Sequence, residues 1–132
     1  MEQEEGFGPH LAVDLAECDS GRLSDFELIF DLLNNLPDMI GMTKITQPYV
    51  FKYKGLVPED LGITGTVIIA ESHLSIHTFP LKGFCFADIF SCRSFDYKKA
   101  EDHFIRTFLS KKPECQVLFR GRHFPRTSIL PK

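Results

Sequence analysis

Three short apolar segments near the middle of the chain carry the spacing of β-strands, and they limit the possible folds more than any other feature. Residues 66–70 form a continuous, largely β-branched run, which is typical of a buried strand. In residues 73–77 apolar side chains alternate with histidine and serine, which predicts a strand with one polar face. Residues 84–90 carry three phenylalanines in step and predict a third strand. The chain is therefore expected to build around a sheet.

Three further segments complete the predicted sheet. Residues 11–15 and 115–119 alternate in the same way, and residues 43–53 also have the composition of a strand. Pro48 in the last of these indicates an edge strand or a bulge, because proline has no amide hydrogen to donate. Residues 55–65 hold three glycines and a proline, which predicts a loop.

Two segments place apolar residues at helical spacing. Ser24 followed by Glu27 matches a capping box, which predicts the start of the first helix. Residues 34–37 predict its end, because they contain asparagine and proline. Asp96 is suited to cap a second helix, whose aromatic residues fall on one side. The order β-α-β-β-β-β-α-β predicts an α+β fold, a two-layer sandwich with a mostly antiparallel sheet and helices on one face.

Composition narrows the classes of function. The chain has 132 residues and is predicted to be one domain, residues 1–132, and its 13 phenylalanines predict a phenylalanine-rich core. A net charge of −3 disfavours general nucleic-acid binding. No apolar stretch reaches the roughly 20 residues that a membrane span needs. The acidic first ten residues lack the apolar region of a secretory signal, so a cytoplasmic protein with cysteine thiols is expected.

The segment that says most about function is residues 71–80, ESHLSIHTFP. From the residues alone, three interpretations stay open. The first is a polar strand face of hydrogen-bonded hydroxyls and imidazoles. The second is a metal site with His73 and His77, although two strand residues four apart lie roughly 13 Å from each other. The third is nucleophilic chemistry by Ser72, with a neighbouring base and a nearby thiol.

This segment resembles the self-cleavage motif of small prokaryotic S-adenosylmethionine decarboxylases, the pyruvoyl enzymes of spermidine synthesis. Other matches follow in the same order along the chain: Gly8-x-His10-Leu11 with Glu17-Cys18-Asp19, Gly62-x-Thr64-Gly65, and Asp88-Ile89-Phe90-Ser91-Cys92. The resemblance runs from residue 8 to residue 122. It implies a homodimer with sites near the subunit interface and a small-molecule substrate, and it implies neither a metal nor pyridoxal phosphate.

The resemblance implies that the chain cuts itself between Glu71 and Ser72. The Ser72 hydroxyl attacks the preceding carbonyl carbon, so that the amide becomes an ester. The carboxylate of this ester is a better leaving group in a β-elimination than an amide. Loss of the Ser72 α-proton then releases residues 1–71. The residue that remains becomes a pyruvoyl group at the head of residues 72–132, a cofactor made from the chain itself. Its ketone forms a Schiff base with the substrate amine and accepts the electrons that carbon dioxide leaves behind.

The resemblance also implies roles for three other residues. His77 matches the processing histidine, and an imidazole suits proton transfer near neutral pH. Thr64 stands where the family has a serine and is a candidate oxyanion donor in processing, and Cys92 matches the cysteine that returns a proton to the substrate carbon. Because Ser72 and His77 are five residues apart, a regular strand puts them on opposite faces, so a turn or bulge at residues 71–72 is expected. Structural or solvent-exposed positions are expected for the other histidines, His10, His103 and His123.

The chain departs from the family pattern where the nucleoside binds. Leu81 replaces the glutamate that holds the ribose hydroxyls, Leu56 replaces the aromatic residue that stacks on adenine, and Arg93 replaces a glycine. Substrate-binding residues therefore stay unassigned. S-adenosylmethionine is the first choice of substrate, and the alternative is a pyruvoyl-dependent arginine or ornithine decarboxylase. A further alternative is an uncleaved, non-catalytic binding or partner protein.

Overall fold

A sheet of seven strands forms one layer of the computed structural model, which describes residues 6–131. Three helices and two short 3-10 turns connect the strands. In chain order these elements are β1 (Gly8–Ala16), α1 (Ser20–Leu23), α2 (Phe26–Met39), β2 (Thr43–Lys44), β3 (Tyr49–Tyr53), the turn Pro58–Asp60, β4 (Gly62–Ala70), β5 (Ser72–Phe79), the turn Pro80–Lys82, β6 (Phe84–Phe90), α3 (Tyr97–Phe108) and β7 (Lys112–Arg120).

The strands pair antiparallel throughout the sheet. Their order is β2-β4-β5-β6-β1-β7, and β3 pairs with β4 on the same edge as β2. Helix α2 packs on β4, and α3 packs on β1 and β7. Their buried side chains join one cluster with a single face of the sheet. The predicted α+β sandwich, with a mostly antiparallel sheet and helices on one face, is confirmed.

Leucine, isoleucine and valine build most of the core. Phe104 and Phe108 of α3 are fully buried, but the other phenylalanines are half-buried or exposed. On β6 the buried positions belong to Cys85, Ala87 and Ile89, so the phenylalanines between them point away from the helices. The prediction of a phenylalanine-rich core is therefore wrong, and on β6 the reason is that the rings occupy the alternate positions that face away from the core.

Helix α2 begins and ends later than predicted. Asp25, and not Ser24, caps its start by accepting a hydrogen bond from the Leu28 amide. The helix continues through residues 34–37 because Leu36 and Pro37 are buried against the core. It ends at Met39, and Gly41, two residues later, has a φ of +77°, which suits a residue without a side chain. Within residues 6–131 no helix is both long and apolar enough to cross a bilayer.

The two glycines at 62 and 65 lie inside a strand, so the predicted loop over residues 55–65 holds only for its first part. A Cβ at Gly62 would overlap the backbone carbonyl oxygen of Thr78 on β5. A Cβ at Gly65 would lie 2.6 Å from a methyl carbon of Leu33 on α2. These glycines therefore permit close packing of β4 and do not mark a turn, which is why their sequence signal was misleading.

The predicted strand over residues 43–53 is interrupted. Residues 45–48 separate β2 from β3, and two of their amides share the carbonyl of Ile68. Pro48 lies in this interruption at the sheet edge, as the absence of its amide hydrogen predicts.

Ile68 is 38% exposed, so the prediction of a buried strand over residues 66–70 holds for one face only.

Replacing Gly62 with alanine is expected to destabilise the fold, because the added Cβ would force β4 and β5 apart. Overpacking of this kind costs about 1–3 kcal/mol, which lowers the midpoint of thermal unfolding measured by circular dichroism. Gly21→Ala in α1 is the matched control, since a Cβ there meets only the end of a side chain. An unchanged midpoint for Gly62→Ala would show that the strands do not need this close approach.

Candidate active site

The sheet face opposite the helices, called the open face here, carries the polar side chains of β5. His73, Ser75 and His77 share this face because alternate residues of a strand point the same way. Asp88 on β6 is the register partner of Ser75, and β1 adds His10 from the next strand. The strand order β5-β6-β1 thus brings three distant parts of the chain together.

A carboxylate lies at the centre of a hydrogen-bonded cluster on the open face. Asp88 Oδ2 lies 2.6 Å from His10 Nε2 and 3.2 Å from His73 Nε2. Its other oxygen accepts a hydrogen bond of 3.0 Å from Ser75 Oγ. Partial burial opposes ionisation of Asp88, but the hydrogen bonds outweigh it and hold the pKa of Asp88 below its usual value. Asp88 is therefore a carboxylate at neutral pH, and both imidazoles donate to it.

Arg120 of β7 holds the outer end of this cluster. Its Nη1 lies 3.0 Å from His10 Nδ1, and its Cζ lies 4.1 Å from the centre of the Phe90 ring. A guanidinium only donates hydrogen bonds, so Nδ1 of His10 accepts and the His10 proton sits on Nε2, towards Asp88. His10, expected in a structural or exposed position, thus joins Arg120 to the central carboxylate.

Ser72 begins β5 with an unusual backbone conformation. Its φ is +146°, a value that residues with a side chain rarely adopt, and the regular alternation of the strand is broken there. Ser72 Oγ lies 3.4 Å from Nδ1 of the neighbouring His73. Glu71, on the other side of the proposed cleavage bond, is exposed. The irregular backbone expected at residues 71–72 is present, and it turns the serine towards His73.

Cys92 lies at the Ser72 end of the sheet. It follows β6 two residues after Phe90, whose register partner on β5 is His73. The thiol is half-buried, and the backbone carbonyl of Cys92 accepts a hydrogen bond of 2.7 Å from Arg126. All four cysteines are free thiols, as predicted.

His77 and Thr64 form a pair at the other end of the open face. They are register partners on β5 and β4, and Thr64 Oγ1 lies 3.2 Å from His77 Nδ1. Five strand positions separate Ser72 from His77, which amounts to about 16 Å. Within one chain the irregular backbone therefore does not bring these two residues together. The predicted site residues form two groups, Ser72 with Cys92 and Thr64 with His77.

His10, His73 and Asp88 have the donor types of a divalent-metal site, and their ligand atoms lie within 4.8 Å of one another. In the structure these atoms hydrogen-bond to each other, so each is already satisfied. The metal pair considered from sequence, His73 with His77, is not formed, since the two are roughly 13 Å apart along one strand.

Two members of the cluster, His10 and Asp88, were not linked to Ser72 by sequence analysis. They are 78 residues apart and meet only because β1 pairs with β6. One signal was present in the sequence: Asp88 is the single charged residue of β6, in step with the phenylalanines and out of step with the buried positions. A charge in such a strand indicates hydrogen-bonding partners on the same face.

Known proteins resemble this chain over most of its length. A family model described as S-adenosylmethionine decarboxylase matches residues 9–121. A Pyrococcus furiosus protein named S-adenosylmethionine decarboxylase proenzyme is 32% identical over 115 residues, which cover 86% of this chain and 78% of that protein. A Clostridium botulinum protein of the same name is 34% identical over 116 residues, which cover 87% of this chain and 95% of that protein.

A solved structure has the same fold. The crystal structure of the adenosylmethionine decarboxylase from Aquifex aeolicus is 30% identical and superposes with a TM-score of 0.74, covering 89% of this chain and 92% of that chain. Sequence and architecture therefore agree across nearly the whole length. The chain belongs to the S-adenosylmethionine decarboxylase family.

Proposed function

We propose that this chain is a pyruvoyl-dependent decarboxylase of S-adenosylmethionine, and that it makes its cofactor by cutting itself between Glu71 and Ser72. The observation that carries the proposal is the conformation of Ser72, which has a φ of +146° and a hydroxyl that faces an imidazole. A positive φ strains the backbone beside this bond, and cleavage releases the strain. The relatives are named proenzymes, which fits a chain that is synthesised inactive.

Self-cleavage involves Glu71, Ser72, one water molecule and several proton transfers. Ser72 Oγ attacks the carbonyl carbon of Glu71, and the peptide bond becomes an ester. Loss of the Ser72 α-proton expels the Glu71 carboxylate, which becomes the end of residues 1–71. The remaining dehydroalanine tautomerises to an imine, and water replaces its nitrogen, which leaves as ammonia. A ketone thus heads residues 72–132.

Cys92 is the proposed proton donor in decarboxylation. The pyruvoyl group, once formed, supplies a carbonyl that binds the substrate amine and accepts electrons as carbon dioxide leaves. Position 72 fits this group, because the fold already presents the Ser72 side chain on the open face beside His73. Since Cys92 lies at the same end of the sheet, its half-buried thiol can return a proton to the substrate carbon.

A second copy of the chain supplies His77 and Thr64 to the Ser72 site in this proposal. The two groups of residues lie at opposite ends of one face, about 16 Å apart along the strand. When two copies pack open face to open face around a twofold axis, the His77 end of each meets the Ser72 end of the other. His77 can then remove the Ser72 α-proton, and Thr64 lies where its hydroxyl can face the oxyanion.

Exposed apolar side chains on the open face support this homodimer. They are Phe51, Ile68, Phe86 and Leu118, which are 62%, 38%, 45% and 53% exposed. Each pairs in register with one of the open-face residues already described. Large apolar side chains grouped on an uncovered sheet face indicate a protein interface.

The nucleoside end of the substrate needs contacts other than those usual in the family. Leu56 and Leu81, at the positions of the family's aromatic residue and glutamate, are 97% and 63% exposed. Neither side chain can stack on adenine or accept a hydrogen bond from ribose. Phe51 and Phe86 flank the His77 pair on the neighbouring strands, and their rings are the proposed stacking surface for adenine.

The second candidate is a decarboxylase of a basic amino acid, arginine or ornithine. The observation that favours it is Leu81, because a substrate without ribose needs no acceptor at that position. Arg93, beside Cys92, donates a hydrogen bond from its guanidinium to the carbonyl of Gly41 and favours neither substrate. For the first candidate the product serves spermidine synthesis.

Replacing Ser72 with alanine is expected to abolish cleavage, since the attacking oxygen is removed. Denaturing mass spectrometry after warm incubation should show residues 1–71 and 72–132 as separate chains, the second of them reactive to a hydrazide. Ser72→Ala should remain intact, whereas the exposed Ser128→Ala should cleave normally. An original chain that stays intact and inert to the hydrazide would instead indicate a non-catalytic binding or partner protein.

Two variants that fail to cleave alone are expected to complement each other in a mixed dimer. When Ser72→Ala and His77→Asn chains are co-expressed, one site of the mixed dimer holds both original residues. The His77→Asn chain should then be cleaved, and its fragment masses identify it. If an affinity tag on one chain shows that mixed dimers form and both chains stay intact, the shared site is contradicted.

Carbon dioxide release from S-adenosylmethionine, arginine and ornithine, measured side by side on the cleaved protein, identifies the substrate. Release from S-adenosylmethionine alone is expected, and Ser72→Ala protein should release none from any of the three. Release from arginine or ornithine alone would overturn the first candidate and leave self-cleavage intact.

A further inference from the structure

We propose that His73 is the base that takes the proton from the Ser72 hydroxyl at the start of self-cleavage, and that Asp88 and His10 are its positioning residues. This inference rests on the proposed self-cleavage, and it assigns the two proton transfers of that reaction to two different histidines. His73 acts on the hydroxyl proton within its own chain, and His77 acts afterwards on the Ser72 α-proton.

The imidazole that the fold places against Ser72 is that of His73. Its Nδ1 lies 3.4 Å from Ser72 Oγ, a separation that a small rotation of either side chain shortens to a strong hydrogen bond. His77 stands about 16 Å away along β5. The first proton transfer therefore has an acceptor in the same chain, and it does not require a second copy.

The tautomer of His73 is set by the hydrogen bond at its other nitrogen. His73 Nε2 lies 3.2 Å from Asp88 Oδ2, and a carboxylate accepts hydrogen bonds but cannot donate them. The His73 proton is therefore on Nε2, and the lone pair of Nδ1 faces the Ser72 hydroxyl. An imidazole held in this tautomer by a carboxylate is oriented to act as a general base.

Asp88 is itself held in place from the far side. His10 Nε2 donates to Asp88 at 2.6 Å, and Arg120 donates to His10 at 3.0 Å. The groups that face His73 are thus Asp88 from β6, His10 from β1 and, further out, Arg120 from β7, while β4 offers an apolar side chain at this level. The carboxylate is the nearest charge, and it stabilises the protonated imidazole that forms when His73 accepts a proton.

The step balances without any further reactant. The Ser72 hydroxyl proton passes to His73 Nδ1 as the bond from Oγ to the Glu71 carbonyl carbon forms. His73 then returns that proton to the Ser72 nitrogen as the carbon–nitrogen bond breaks. The amide has become an ester, and His73 has returned the proton that it took.

Trapping of the ester separates the roles of the two histidines. Freshly synthesised full-length chains are incubated with and without hydroxylamine, which cuts esters but leaves the amide intact, and are then examined by denaturing mass spectrometry. His73→Asn is expected to slow cleavage by about 100-fold or more and to stay intact with hydroxylamine. His77→Asn is expected to stay intact alone and to split with hydroxylamine, leaving a hydroxamate on Glu71. The exposed His123→Asn is the matched control and should cleave normally.

A second variant tests Asp88 as a positioning residue and does not depend on His73→Asn folding. Asp88→Asn removes the negative charge but keeps the shape, so the positive charge that forms on His73 when it takes the proton is no longer stabilised. The pH profile of the cleavage rate should then shift to lower pH, and its maximum should be about tenfold lower. A merely structural role would reduce the rate at every pH and leave the position of the profile unmoved.

Three outcomes would overturn the inference. Cleavage of His73→Asn at the original rate, or its splitting by hydroxylamine, would show that the ester forms without this imidazole. An unmoved pH profile for Asp88→Asn would remove the positioning role. In each of these cases the original chain still cleaves, so the proposed decarboxylase stands. Failure of the original chain to cleave would overturn both.

Discussion

The register of β5 between β4 and β6 is the constraint on which the rest of the site depends. Side chains alternate along a strand, so a slip of one residue would carry every polar group of β5 from the open face into the core. The buried hydroxyl of Thr78 fixes this register, because it donates to the Leu23 carbonyl at 2.8 Å and accepts from the Ile63 amide at 3.0 Å. The absence of a side chain at Gly62 allows the same close pairing.

The two ends of the open face differ in how completely they are organised within one chain. At the Ser72 end, hydrogen bonds run from Arg120 through His10 and Asp88 to His73, and the carboxylate at their centre is partly shielded from water. At the other end His77 is exposed and has one partner. An organised end suits a reaction that occurs inside the chain, and an exposed end suits one completed by assembly.

Much of the architecture could be predicted because strands repeat every second residue, and the sheet segments at 11–15, 73–77 and 84–90 are strands. The misplaced boundaries have a common cause. Glycine and proline usually mark the end of a helix or strand. Here Gly62 lies within β4 because it packs closely against Thr78, and Pro37 lies within α2 because it is buried in the core. Residues 71–80 were recognisable as a family motif, whereas the cluster around Asp88 arises from strand order, which no local pattern encodes.

The strand order has a consequence for the two chains that the proposed cleavage would produce. Residues 1–71 supply β1 to β4 and residues 72–132 supply β5 to β7, yet β1 lies between β6 and β7. The two chains left by such a cleavage would therefore be interleaved, and neither would hold a contiguous half of the sheet. They would stay associated after the covalent link is lost, since separation requires breaking three strand pairings. Once denatured, the mature protein would have to reassemble in a bimolecular reaction, with a yield that depends on concentration.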